Sequence, residues 1–209
     1  MNTNRGCRPL TDDEIERLIA GMAGSRWQFR DSCLLNLGLR SGFRVSELLS
    51  LKTSDVYSYE DREVRRSVTV MKENMKGGKN KKIRIESRTT PLHEAAREAI
   101  LLWLRHSHMD NPIYAQTGTA LFPRQGSLEP ISAARAWGII QEAGLRGGVA
   151  LERLGTHSWR KSYALKMWSH PAIHGDWARM SRLMSHKNPS NTLRYLEFLD
   201  GSLEAAVLA

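Results

Sequence analysis

The segment Thr156–Ala164, THSWRKSYA, sets a histidine three residues before an arginine. On a helix His157 and Arg160 share a face. An imidazole and a guanidinium projecting together can hold one phosphate, the arginine as a bidentate fork and the histidine as donor or proton shuttle. The plainer alternative is a helix N-terminus with its arginine in solvent. A second pair lies in GFRVSELLSL, residues 42–51, where Arg44 follows a glycine turn and Glu47 comes one turn later. Such pairs are usually surface ion pairs of little worth. Here Phe43, Val45 and Leu48 flank Arg44, so its stem packs and its head is directed. A third group is the basic run NMKGGKNKK, with Lys76, Lys79, Lys81 and Lys82. A charge run is ordinarily a solvated face or touches phosphates without specificity. A lysine at a hairpin tip can also reach into a site as a proton donor. The last stretch, SHKNPSNTLRYLEF, places His186 nine residues before Tyr195. With Leu193, Leu196 and Phe198 around it, Tyr195 would ordinarily be core or interface. A phenol attacks poorly at neutral pH unless a base or a cationic field helps remove its proton. Two arginines, two histidines and a lysine supply that field.

The composition points to the same kind of partner. The chain has 209 residues, 41% hydrophobic and 25% charged, with a net charge of +9. This is long enough to bury a substantial core. The excess of Lys and Arg favours a polyanion such as DNA, RNA or an anionic membrane surface. No run approaches the length of a membrane-spanning helix and no signal-peptide h-region is seen, which weakens the membrane reading. Of the two cysteines, Cys33 reads as a small buried hydrophobe and Cys7 as part of a frayed N-terminal arm. With no disulfide framework and no zinc spacing, the expected compartment is reducing and cytoplasmic.

The elements that must position these residues are mainly helical. TDDEIERLIAGM opens with a capping box, Thr11 to Glu14, and its apolar spacing predicts an amphipathic helix. A second helix is expected from about Arg26 to Leu39, then a turn at Gly42 and a short helix through RVSELLSL. REVRRSVTVMKE and KKIRIES alternate as strands and SRTTPL is extended before Pro91, giving two or three antiparallel strands with a basic hairpin. Helices follow in HEAAREAILLWLRH, in SAARAWGIIQEAGL with Ser132 as cap and Gly144 beyond its end, in THSWRKSYALKMWSH, in DWARMSRLMSH, and in SNTLRYLEFL with Ser190 as cap. GLRGGVALERLG reads as a loop. The expected fold is one mainly α domain with a small antiparallel β-sheet inserted early.

In this order, Arg, Lys, His-x-x-Arg, His and Tyr, the chain resembles the catalytic domain of the tyrosine recombinase (phage integrase) family. GFRVSELLSL is similar to the family's first-arginine box. THSWRKSYA is similar to its H-x-x-R box, with Arg-Lys where many members have Arg-His. LMSHKNPSNTLRYLEF is similar to the final box, with Ser185 where a glycine is usual before the histidine. SRTTPLHEAAREAI is similar to the strand and helix after the family's β-hairpin. The likeness runs from about Leu10 to Ala206, nearly the whole chain.

The resemblance implies the DNA breaking-rejoining fold and a site-specific recombinase or integrase. Tyr195 would attack a scissile phosphate of double-stranded DNA, leaving a 3′-phosphotyrosyl link and a free 5′-hydroxyl. Arg44 and Arg160 would clamp the non-bridging oxygens. His157 would assist proton transfer, and His186 would hydrogen-bond a phosphate oxygen. Glu47 would hold Arg44 or His157. Lys76, or failing it Lys79, would protonate the leaving oxygen; extra length in the hairpin leaves the register open. Lys79, Lys81, Lys82, Lys161 and Lys187 would touch DNA. Transesterification conserves the phosphodiester energy and needs no ATP. Fixed cations stand where hydrolytic nucleases use metal ions, and the sequence has no carboxylate cluster for Mg²⁺, so no cofactor is expected.

Family members usually carry a core-binding domain ahead of the catalytic one. Here residues 1–9 read as an arm and 10–209 as the catalytic domain. The chain is either a piece of a longer integrase or a naturally short recombinase like the fimbrial-switch invertases. The resemblance also implies a tetramer on DNA with C-terminal segments traded between neighbours; SLEAAVLA could equally dock on its own domain. Two rivals stand beside this reading. One is a type IB topoisomerase, whose usual pattern differs at the histidines. The other is a helical DNA-binding regulator with no covalent step.

Overall fold

The computed structural model describes residues 6–75, 86–110, 118–186 and Thr192. Helix α1 spans Asp12–Ala20, α2 Gln28–Ser41, α3 Val45–Leu49 and α4 Thr53–Val56. Strands β1 (Tyr57–Ser58), β2 (Glu63–Val64) and β3 (Ser67–Val70) follow, then a 3₁₀ turn at Lys72–Asn74 and strand β4 (Arg88–Pro91). Helices α5 (Glu94–Asp110), α6 (Ala133–Arg146), α7 (Thr156–Trp168) and α8 (Trp177–Leu183) complete the described elements. This is the mainly α architecture with small antiparallel sheets that the sequence implies.

Helix α2 is the centre. Cys33, Leu34, Leu35, Leu37 and Leu39 are buried, and so are Arg30, Asp31 and Asn36 on its other sides. A helix buried on nearly all sides needs partners around it, and α5 and α7 pack on it while α6 packs on α1. The buried charges are paired, Arg30 with Asp31 at 2.8 Å, and Arg30 also donates to the Pro123 carbonyl at 2.9 Å. Burial pushes the Cys33 thiol far above its ordinary pKa, as befits an inert core cysteine.

The Thr11 capping box forms as expected, Glu14 N–H donating to Thr11 Oγ1 at 3.2 Å and Thr11 N–H to Glu14 Oε2 at 3.0 Å. Several boundaries differ from expectation. The alternation from Arg62 to Glu73 is two strands, because the chain changes partner after Arg65: Arg65 N–H still bonds the Val56 carbonyl beside β1 at 2.8 Å, while the Arg66 carbonyl accepts from Leu92 N–H, just past β4, at 2.8 Å. Val64 pairs with Tyr57 in one sheet; Val68 and Val70 pair with Thr90 and Arg88 in the other. The Ile83 and Ile85 strand lies outside the described residues, as does Ser190. Gly144 is inside α6, not beyond it, and the cap is Gly147. A Cβ at Gly144 would come 2.6 Å from Leu154 Cδ2, so glycine is there for close packing. Nor is the N-terminal arm frayed from Gly6 onward. Arg8 N–H donates to the Arg153 carbonyl at 2.9 Å, and its side chain pairs with Glu14 at 2.7 Å.

Candidate active site

The site is built on the turn between α2 and α3. Gly42 takes the left-handed conformation there, with φ of 62°. A Cβ at that position would also meet the Tyr163 ring at 2.3 Å, so both backbone and space select glycine. Phe43 is fully buried. Helix α7 fastens this turn from the other side. Trp159 Nε1 donates to the Phe43 carbonyl at 3.0 Å, and Arg160 donates to the Gly42 carbonyl.

Arg160 is fully buried, which overturns the solvent-facing alternative for this arginine. Its second terminal nitrogen donates to the Met184 carbonyl at the end of α8. One guanidinium thus ties the first-arginine turn to the segment leading into His186. Arg44 caps α3 and is half-buried. Glu47 is completely buried and holds Arg44 twice. Its Oε1 lies 2.7 Å from Arg44 Nη1, and its Oε2 accepts the Arg44 main-chain N–H at 2.8 Å. His157, one turn before Arg160, is exposed on the first turn of α7, and Lys161 is partly buried behind it. Tyr195, Lys76, Lys79, Lys81, Lys82 and Lys187 lie outside the described residues.

Two residues of this cluster carried no sequence signal strong enough to single them out. Arg88, on β4, is buried. Its guanidinium stands 3.7 Å from Glu47 Oε2 and stacks 4.2 Å over the Phe43 ring. Burial pulls its pKa down to about 10 against the pull of Glu47, so it is still charged at neutral pH. The β alternation that sends Val68 and Val70 inward also sends Arg88 and Thr90 inward, since they are their cross-strand partners. The second is Thr192, whose hydroxyl lies 3.0 Å from His186 Nδ1 and 2.7 Å from Ser181 Oγ.

His186 stands in the field of these cations. Burial first, then Arg160, Arg44 and Arg88, push its pKa down to about 3. Unfolded, the ring takes up a proton below about pH 6.5; folded, it resists until far lower. Its contribution to stability is therefore full above pH 6.5 and declines as the pH falls toward 3. Thermal melts over this window should show a steeper acid loss for the parent chain than for His186→Gln.

Ser185, directly before it, has φ of 49° without being glycine. A side chain in the left-handed region costs on the order of 1 kcal/mol. Ser185→Gly should therefore stabilise the fold by up to about 1 kcal/mol, read as a rise in Tm.

Tyr163 is a poor candidate nucleophile by comparison. It is buried beside Ala164, Met180 and Met184, and burial raises its phenol pKa against the opposing fields of Arg88 and Arg160.

The profile of the phage integrase family matches residues 8–200. The chain belongs to the phage integrase family. Among curated relatives of this integrase-family chain, the tyrosine recombinase XerD of Caulobacter vibrioides is 27% identical over 192 residues, covering 89% of this chain and 56% of XerD. The type 1 fimbriae regulatory protein FimE of Escherichia coli K12 is 28% identical over 190 residues, 90% of this chain and 84% of FimE. The chain thus spans little more than half of XerD but most of FimE. Among solved structures, XerH recombinase bound to palindromic difH in a post-cleavage complex superposes with a TM-score of 0.70 at 20% identity, covering 98% of this chain and 53% of XerH. The catalytic domain of bacteriophage HP1 integrase superposes with a TM-score of 0.54 at 20% identity, covering 96% and 94%. These two likenesses establish the integrase catalytic-domain fold. No described helix is long and apolar enough to cross a membrane.

Proposed function

We propose that this chain is the catalytic domain of a tyrosine-type site-specific recombinase, acting on double-stranded DNA in the cytoplasm. The observation that carries the reading is that Arg160 bridges the Gly42 carbonyl, two residues before Arg44, and the Met184 carbonyl, two residues before His186, while Arg44 and Arg88 stand 2.7 Å and 3.7 Å from the one Glu47 carboxylate. Cations gathered at one place while their own chain carries +9 are a receptor for an anion. The relatives named recombinase favour a DNA phosphate as that anion.

The roles in this reading are those the family resemblance implies. Tyr195 Oη attacks the phosphorus and forms the new P–O bond as the bond to the 5′-oxygen breaks. His157, exposed on the first turn of α7, exchanges a proton with the nucleophile in this reading. Arg44 and Arg160 bind the non-bridging oxygens, and their gain is largest when charge builds up in the pentavalent transition state. Glu47 keeps Arg44 in position. A hairpin lysine, Lys76 in this reading, gives the leaving 5′-oxygen its proton, and Lys79, Lys81, Lys82, Lys161 and Lys187 meet the DNA backbone. Rejoining is the same exchange run by a second 5′-hydroxyl, four protomers acting on two duplexes. The test is a nicked suicide duplex that loses its 5′-hydroxyl fragment on cleavage. Covalent adduct mapped by mass spectrometry to Tyr195 supports the reading; adduct at another residue, or none, sinks it.

A further inference from the structure

Thr192 is 1% exposed, yet its hydroxyl has two polar neighbours, eleven and six residues earlier in the chain. Ser181 Oγ is 2.7 Å away and His186 Nδ1 is 3.0 Å away. The main-chain N–H of His186 donates to the Ser181 carbonyl at 2.9 Å. Ser181, near the end of α8, therefore anchors His186 directly through the backbone and again through Thr192. We infer that Thr192 is a positioning residue that fixes His186 as the Nε2–H tautomer, its hydroxyl donating to Nδ1 while it accepts from Ser181.

The inference rests on the reading of His186 as a donor to the scissile phosphate. A hydroxyl has one proton and can accept twice, so the contact at Nδ1 runs in one of two directions. In one, Ser181 O–H donates to Thr192 Oγ1, Thr192 O–H donates to Nδ1, and Nε2 carries the ring proton. In the other, Nδ1–H donates to Thr192, whichever way the Ser181–Thr192 bond runs, and Nε2 offers a bare lone pair. Only the first direction presents a hydrogen-bond donor to a phosphate oxygen. The second would face one lone pair with another. A doubly protonated ring would donate from both nitrogens, but burial and the fields of Arg160, Arg44 and Arg88 oppose it. The neutral Nε2–H ring serves the phosphate without taking up a proton.

Thr192 also precedes Tyr195 by three residues. Three residues of chain reach at most about 11 Å. The hydroxyl that orients His186 is thus on the same short stretch as the nucleophile, and the two cannot be placed independently.

The experiment pairs ¹⁵N-detected histidine NMR on the full chain with single-turnover cleavage of the suicide duplex. In the parent chain His186 should show a protonated Nε2 and an unprotonated Nδ1. Thr192→Val keeps the shape but loses the donor. It should mix or reverse the tautomer and slow cleavage about 10-fold, the scale on which groups that orient a working histidine act. DNA affinity should be unchanged, and Thr192→Ser should restore tautomer and rate. A ring proton on Nδ1 in the parent chain overturns the inference, whether or not Thr192→Val folds. So does Thr192→Val with parental tautomer and rate. A parent chain with the stated tautomer that forms no adduct would instead leave Thr192's role in place and remove the recombinase reading.

Discussion

Tyr195→Phe should bind DNA as the parent chain does and form no covalent adduct. The substitution removes one oxygen, the atom proposed to become esterified, and leaves the ring and the charge as they were. Affinity comes chiefly from Lys and Arg meeting phosphates, and none of these is touched, so Kd should stay within about twofold. The rate of adduct formation should fall by at least about 10⁴-fold, since removing a nucleophile outright costs that or more where no other group can replace it. Tyr163 is no such substitute. Its side chain is buried in the small cluster with Ala164, Met180 and Met184, and burial raises its pKa further from neutrality. Tyr163→Phe should accordingly keep adduct formation. The measurements are adduct yield on a denaturing gel and affinity by fluorescence anisotropy. A regulator without a covalent step would be indifferent to Tyr195→Phe, and a chain that still formed adduct would have its nucleophile elsewhere.

Much of this site is legible before any coordinates, and the limits are physical. Arg44, Glu47, Arg160 and His186 stand out by their order and by boxes that resemble the family's, while each alone is ambiguous; around Arg44 the flanking residues add to this. Gly42 must turn, Phe43 and Leu48 must be buried, and the charged residues between are forced toward one place. Arg160 was harder to place by residue type alone, because a lone arginine on a helix normally faces water. What buries it is the pair of open carbonyls at Gly42 and Met184, groups that belong to other segments and cannot be read from its own helix. Arg88 and Thr192 escaped for the same reason. An inward arginine on a four-residue strand makes sense only once Glu47 and Phe43 are known to lie beneath it. A threonine before Leu-Arg-Tyr reads as an ordinary helix residue until Ser181 and His186 meet it. The split of the early alternation into β2 and β3 is likewise a tertiary effect. Val64 and Val68 are four apart and both point inward, so period two alone does not reveal that the chain changes partner between them.

Arg160→Ala should lower the cleavage rate by on the order of 10²–10³-fold, the loss typical of removing one donor aimed at developing charge. It should also lower Tm, because the carbonyls of Gly42 and Met184 lose their buried donor. Each such group costs about 1–3 kcal/mol when left unpaired. The two effects have one cause. The same guanidinium that is proposed to bind phosphate fastens the Arg44 turn to the segment entering His186, so its loss removes a clamp and loosens two others. Arg160→Lys separates charge from geometry. A lysine restores the positive charge, but a compact ammonium does not reproduce the planar fork that reaches two carbonyls, so it should recover less than about tenfold of the rate. A purely structural arginine would lower Tm in both variants without altering the chemistry of its neighbours. The stated role predicts more. Arg160 is the strongest of the charges holding His186 neutral, so the His186 titration followed by NMR should move upward in Arg160→Ala and return toward the parental value in Arg160→Lys. A folded Arg160→Ala chain with parental cleavage and an unmoved His186 would show that the guanidinium does not belong to the cationic site at all.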